Sequence, residues 1–107
     1  MEPAEVEEFL GRCAVMAVGA IDADGWPVAS LAATTFDDGT ITIRIAGDDP
    51  VAVAAAGPEP LCCTADEDPS YYEIRGVIVH GRPAPAADGL RMPVERAIGF
   101  DFGRLPH

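Results

Sequence analysis

Residues 71–82, YYEIRGVIVHGR, are the stretch that decides the fold. Aromatic and β-branched residues dominate it, and Pro69 and Pro83 bound it, which predicts a long β-strand. We expect this strand to form one wall of any functional site, because it carries many polar side chains for a strand in a core. These side chains are Tyr71, Tyr72, Arg75, His80 and Arg82.

The length and hydropathy of the chain predict one globular domain over residues 1–107. The chain is 49% hydrophobic, which is enough for a single modest core. No apolar run approaches the ~20 residues of a membrane-spanning helix. The acidic start, Met1 to Pro3, lacks the basic region of a secretory signal. We therefore expect a cytoplasmic protein that has no membrane partner.

The charge of the chain is strongly acidic. Its net charge is −11, and all seven of its cations are arginine. Nucleic acids and anionic membranes are bound through basic patches, so we expect neither as a partner. The three cysteines are Cys13, Cys62 and Cys63. The last two point to opposite faces of a strand, so we expect free thiols and no metal site.

The first half of the chain reads as a helix followed by a three-strand meander. Residues 4–11 combine an acidic first turn, an apolar stripe and a terminal glycine. Residues 13–21 are a nearly unbroken apolar run, which predicts a strand that is buried on both faces. After the turn DADG, residues 26–36 form the returning strand. Residues 40–46 alternate apolar and polar side chains and form the third strand.

The second half continues with a short helix and further strands. Asp48 is the predicted N-cap of a helix that ends at Ala56. Six strands with hairpin turns predict a mainly β fold, a small closed or partly open barrel. The meander leaves an edge, which a second copy of the chain would cover. The remaining predicted elements are a strand at 61–65, a turn at 66–70, the long strand, a loop at 83–89 and a last strand at 90–101.

Three ordered motifs resemble one known superfamily. AVMAV at 14–18 and DADGWPV at 22–28 resemble the "LAT-x-x-x-DG-x-P" opening of the pyridoxamine-phosphate-oxidase-like split barrels. Residues 72–82 resemble their "Y-x-x-(L/I)-RGV-x-x-x-G-x-A" strand, and residues 93–105 are similar to their C-terminal strand and tail. The superfamily includes the flavin- and deazaflavin-dependent oxidoreductases. The resemblance implies an FMN-binding-type split β-barrel, mainly β with short helices. It also implies a homodimer with FMN or a deazaflavin in each interface cleft.

The chain departs from the superfamily where the cofactor phosphate is held. Relatives place basic residues at the start of the helix after the third strand, whereas this sequence reads DDPVAV at 48–53. A phosphate needs charge-assisted donors, and by position Arg44 is the best replacement. The alternative for Arg44 is a solvated arginine on the outer face. The polar residues of the second strand that the resemblance places near a flavin ring are Ser30, Thr34 and Thr35.

Three residues of the long strand are candidates for chemistry. His80 is suited to general acid–base catalysis, or it is a rim or interface histidine that bonds to the backbone. Arg75 either holds a ligand anion or pairs with an acidic neighbour. Tyr72 either stacks on a ring or packs against the barrel.

Two functions from different classes follow. In the first, the protein is a flavin- or deazaflavin-dependent oxidoreductase that acts on a small organic molecule. Ser30, Thr34, Thr35 and Arg44 would then contact the cofactor, and Tyr72, Arg75 and His80 would serve catalysis. In the second, the protein binds no cofactor, and the flavin cleft of a homodimer holds a small molecule. That protein would be a binding protein or an acid–base enzyme, for example a lyase, isomerase or cyclase.

Overall fold

The computed structural model describes residues 2–70 and 73–101, and in this part of the chain it shows two helices and seven strands. The helices are α1 (Pro3–Arg12) and α2 (Pro50–Ala54). The strands are β1 (Val15–Ile21), β2 (Pro27–Asp37), β3 (Thr40–Arg44), β4 (Leu61–Ser70), β5 (Glu73–Gly81), β6 (Ala84–Ala86) and β7 (Gly89–Asp101).

The strands pair antiparallel in the order β3-β2-β1-β4-β5-β7, and β6 is attached to β7. A further pairing between β3 and β7 joins the two ends of this six-strand order and closes it into a barrel. This pairing corrects the expectation of an open meander edge, since β3 has a neighbour on both sides. The first half of β7 pairs with β3 and the second half with β5, so one long strand completes the barrel.

Alternation along the strands builds the core. On β3, Ile41 and Ile43 are fully buried, while the neighbouring Thr42 and Arg44 face outward. Burying each such aliphatic side chain contributes about 1.5–3 kcal/mol. The apolar inner face is therefore what stabilises the barrel. Other fully buried inner residues are Val18, Leu61, Cys63, Val77, Val79 and Met92.

The two helices contact different strands of the barrel. The buried side chains of α1 are Val6, Phe9 and Leu10, and this helix contacts β2, β5 and β7. The buried side chains of α2 are Val51 and Ala54, and this helix contacts β1 and β2. Neither helix of the described residues has the length and hydropathy of a membrane span.

Two tight turns confirm the local signals of the sequence. Asp38 and Gly39 both have positive φ, at 49° and 75°, as a two-residue hairpin turn requires. In the earlier turn, the Asp22 carboxylate accepts the backbone N–H groups of Asp24 and Trp26 at 3.0 and 2.9 Å. These turns set the register of the meander.

Two other local predictions are wrong, because the segments concerned pair with a neighbouring strand. The predicted turn at 66–70 is the end of β4, because these residues pair with β5. The predicted loop at 83–89 contains β6, which pairs with the start of β7. The start of β7 requires Gly89, since its φ is +149° and a Cβ there would collide with the Ile43 carbonyl.

The first strand is also more exposed than its apolar sequence predicts. Only one face of β1 is buried, and Val15 and Ile21 on the other face are 53% and 41% exposed. An apolar run that leaves one face uncovered marks a surface where another molecule can pack.

Candidate ligand cleft

A cleft of about 560 Å³ lies on the outer face of the barrel where β2 pairs with β3. Its floor includes Thr35 and Thr42, which are direct cross-strand partners, and Arg44, which is the partner of Ala33. The junction between α1 and β1 closes one side through Arg12 and Cys13. The cleft therefore combines hydroxyl groups, a thiol and two guanidinium groups.

Arg44 is the cation of the cleft that is available to a ligand. Its side chain makes no ion pair with any carboxylate of the described residues. Arg12, by contrast, is bound to Glu67 at 3.0 Å and Glu8 at 3.5 Å, and it lies over the Phe9 ring at 5.4 Å. Those contacts tie Arg12 to α1 and β4.

The structure brings three of the four predicted cofactor residues to this cleft, namely Thr34, Thr35 and Arg44. Thr34 is only 5% exposed, and its Oγ1 has no hydrogen-bond partner within the described residues. Its backbone N–H donates to the Ala14 carbonyl at 3.0 Å, which fastens β2 to the entry of β1. Thr34 thus supports the cleft wall, while Thr35 lies on its floor.

Two polar residues that line the cleft, Thr42 and Arg12, were not predicted from the sequence. Thr42 carried a signal, because it alternates with Arg44 on the polar side of β3. Arg12 carried none, because a basic residue in the last turn of a helix is explained by the helix dipole alone. Only the packing of α1 across the barrel brings Arg12 to the cleft.

Ser30, the fourth predicted cofactor residue, is bound elsewhere. Its hydroxyl donates to the Asp49 carboxylate at 2.8 Å, and the Val51 N–H donates to the same carboxylate at 2.8 Å. Asp49 is therefore the N-cap of α2, which corrects the prediction of Asp48. A carboxylate in this position repels a phosphate from the first turn of the helix. The start of α2 is unsuited to the anchor that relatives use there.

Arg75 faces acidic neighbours at the α1 side of the barrel. Its guanidinium lies 3.3 Å from Glu5 of α1 and 3.8 Å from Glu67, its register partner on β4. Glu67 also binds Arg12. Arg75 thus belongs to a chain of alternating charges that joins the helix to the sheet. Tyr72, a predicted catalytic residue, and Tyr71 lie outside the described residues.

His80 lies on the outer face of β5, away from the cleft. Its cross-strand partners are Cys62 on β4 and Arg96 on β7. Its Nδ1 is buried and has no hydrogen-bond partner among the residues that the structure describes. Of the predicted catalytic residues, Arg75 and His80 lie on different faces of β5, and neither lines the cleft.

The thiols are poorly suited to nucleophilic chemistry. Burial raises the pKa of Cys63, on the inner face of β4, to about 12. Burial also raises the pKa of Cys62 and of Cys13 above their ordinary value. Because the thiolate is the reactive form, none of the three is activated. No cluster of three or more metal-ligating side chains occurs within residues 2–70 and 73–101.

A second outer surface is apolar and crosses five strands. Register places one outward residue of each strand in a line, and we call this line the outer row. Leu31 at one end is 78% exposed, and Ile98 at the other is 39% exposed. The outer row consists of Leu31, Ala17, Thr64, Ile78 and Ile98.

Comparison with solved structures identifies the fold. The FAD-binding protein of Mycobacterium smegmatis shares 18% identity and a TM-score of 0.79, with 95% of each chain covered. A candidate pyridoxamine 5'-phosphate oxidase of Corynebacterium glutamicum shares 16% identity and a TM-score of 0.72, covering 96% of this chain and 91% of its own. HutZ, the heme storage protein of Vibrio cholerae, shares 11% identity and a TM-score of 0.69, covering 90% and 92%.

The chain therefore has the split-barrel fold that its motifs predicted. No protein-family model matches the sequence, and no curated protein is significantly similar to it. At identities of 11–18% these structures share an architecture with the chain. Because one fold hosts many functions, the residues of the cleft determine which ligand it binds.

Proposed function

From this fold and this cleft, we propose that the protein binds a flavin-type cofactor, FMN or a deazaflavin, and serves as an oxidoreductase for a small organic molecule. The observation that carries the proposal is Arg44. It presents a guanidinium without an ion-pair partner among the described residues, at a 560 Å³ cleft floored by threonine hydroxyls. One protein of the same fold is named as FAD-binding, which supports this choice of ligand class.

The residues of the cleft fit a phosphorylated cofactor in one orientation. The anionic end belongs at Arg44 and Thr42, where a guanidinium and a hydroxyl supply charge-assisted donors. It does not belong at the start of α2, where the Asp49 carboxylate takes the donors. When bound, such a cofactor supplies the hydride or electron transfer. The chain's own residues bind the cofactor and orient it.

The proposal includes a homodimer in which the outer row of one copy packs against a second copy. Five strands spaced about 4.8 Å apart extend this row over roughly 20 Å, and residues beside the row would complete the area of about 800 Å² per partner that a stable interface buries. No residue of the row is charged, although the chain carries a net charge of −11. We propose a second copy as the occupant, because two uncharged rows can meet without the repulsion that the acidic surfaces of two copies would otherwise produce.

Titration of the purified protein with flavins tests the proposal. We expect FMN or a deazaflavin to bind at micromolar concentration, with a shifted visible spectrum and quenched fluorescence. Light scattering after size exclusion should give twice the mass of one chain. Absence of binding by FMN, riboflavin and a deazaflavin at high concentration would refute the cofactor assignment.

The position of Asp49 favours a second candidate function. The Asp49 carboxylate accepts hydrogen bonds at the start of α2, where the resemblance places the cofactor phosphate. The cleft therefore also suits a small molecule that carries no phosphate. The protein would then be a cofactor-free binding protein or an acid–base enzyme, for example a lyase, isomerase or cyclase. Thermal stabilisation by phosphate-free organic molecules, together with no flavin binding, would distinguish this function from the first.

A further inference from the structure

Closure of the barrel places a second arginine beside the cleft. Arg91 on β7 is the register partner of Thr42, and Arg44 is the partner of Gly89. Arg44 and Arg91 are therefore diagonal neighbours on one outer face, where residues of adjacent strands lie about 7–8 Å apart. Both side chains are exposed, and Thr42 lies between them.

The surface around the two arginines is open. Gly89 has no side chain, and β6 brings only Ala86 and Ala84 opposite Gly89 and Arg91. A groove of about 500 Å³ runs along this hairpin and meets the cleft at Arg44. Arg44 lines both the groove and the cleft, and Arg91 flanks the cleft as the register partner of Thr42.

The charges of this surface are unbalanced in a chain with 18 carboxylates and only seven arginines. Three other arginines are used structurally, because Arg12, Arg75 and Arg82 form ion pairs with glutamates. Neither Arg44 nor Arg91 makes an ion pair with a carboxylate of the described residues.

Asp88 lines the same groove, yet it makes no ion pair with either of these arginines. Arg44 and Arg91 are therefore two exposed cations on one outer face, and neither is held by a carboxylate of the described residues. Both remain available to an anionic ligand.

We propose that Arg44 and Arg91, with the Thr42 hydroxyl between them, form a phosphate subsite. This subsite replaces the anchor that Asp49 excludes from the start of α2. The inference rests on the proposed function only in taking the phosphate to be that of a flavin-type cofactor. Two planar guanidinium groups match the oxygens of a phosphate ester, and the hydroxyl adds a neutral donor.

A comparison of FMN with riboflavin isolates the phosphate, since the two ligands share the same ring. We expect wild-type protein to bind FMN at least about tenfold more tightly than riboflavin, which corresponds to about 1.4 kcal/mol. Arg44→Gln and Arg91→Gln should each remove most of this preference and leave riboflavin affinity unchanged. Because the contact is ionic, added salt should weaken FMN binding more than riboflavin binding.

Arg82→Gln is the matched control. It removes the same charge from an arginine whose side chain is 72% exposed and lies in a weak ion pair at 3.8 Å with Glu95. This variant should keep the preference for FMN. The thermal midpoints of unliganded Arg44→Gln and Arg91→Gln should equal that of the wild type, because neither arginine makes an ion pair within the described residues. That result excludes misfolding as the cause of weakened binding.

Titration with inorganic pyrophosphate distinguishes a failure of the phosphate subsite from a failure of the cofactor proposal. If riboflavin binds and FMN is not preferred, the subsite is refuted and the cofactor proposal stands. If pyrophosphate binds through Arg44 and Arg91 and no flavin binds, the cofactor proposal is refuted and the subsite stands. The subsite would be refuted if either glutamine variant preferred FMN as strongly as the wild-type protein does. It would also be refuted if none of the probes bound.

Discussion

The outer surface of this barrel differs sharply between its two halves. Across β2, β1, β4, β5 and β7, the outer row is apolar and ends at the exposed Leu31. Across β2, β3 and the start of β7, the outward side chains include the threonines Thr35 and Thr42 and the arginines Arg44 and Arg91. The inner faces of both halves are mainly apolar. The two halves therefore differ chiefly in their outer residues, and this difference is the basis for proposing a second chain at one half and an anionic ligand at the other.

The largest effect is expected at the outer row. Leu31→Asp would place two carboxylates in an interface that excludes water, so we expect dimer association to weaken by about 100-fold or more. Sedimentation or light scattering over a range of concentrations measures this. Val53→Asp alters a side chain of α2 that is 61% exposed and lies outside the row, and this control should remain a dimer. Equal behaviour of the two variants would contradict the interface.

The start of α2 should lose stability when its cap is removed. Asp49→Ala breaks the bonds from Ser30 and from the Val51 N–H, and we expect the free energy of unfolding to fall by about 1–2 kcal/mol. Urea denaturation measures this change. Asp48→Ala is the matched control, with an expected change within about 0.5 kcal/mol. If the two variants lose equal stability, Asp49 is not the cap.

Thiol alkylation compares the inner face with the outer surface. Cys63, whose pKa is raised to about 12, should stay unmodified at pH 8 until the protein unfolds, because almost no thiolate is present. Cys62 lies beside the outer row as the partner of His80, so dimerisation should protect it. Mass spectrometry should show Cys62 reacting about tenfold faster in Leu31→Asp than in the wild type. An unchanged Cys62 rate would place the interface elsewhere, and Cys13 serves as the internal reference.

The smallest effect concerns the two kinds of arginine. Arg75→Gln removes the contacts to Glu5 and Glu67, so we expect a loss of about 1 kcal/mol in low salt that diminishes in high salt. Arg44→Gln should cause no loss in the same urea assay. A larger loss for Arg44→Gln would mean that its charge is structural and would remove the basis of the ligand site.

The strands and their inward faces were largely predictable from the sequence. Ile41 and Ile43 alternate with polar residues, and such alternation encodes the buried face locally. The absence of basic residues at 48–53 was also visible, and it led to the prediction that a cofactor phosphate is held elsewhere. The sequence could not assign the cap, because Asp48 and Asp49 are equivalent N-cap types. Contact with Ser30, a residue of a different element, distinguishes them.

The amino-acid sequence by itself determined the hairpin turns at residues 22–25 and 38–39 and the alternation that buries Ile41 and Ile43. Only the tertiary structure decided that β3 and β7 pair and that Arg91 therefore lies beside Thr42 and Arg44. It also decided that Arg75 is bound by Glu5 and Glu67. The physical reason is the distance along the chain over which each interaction acts. Alternation and turn chemistry act between near neighbours, whereas the register of distant strands depends on the packing of the whole barrel.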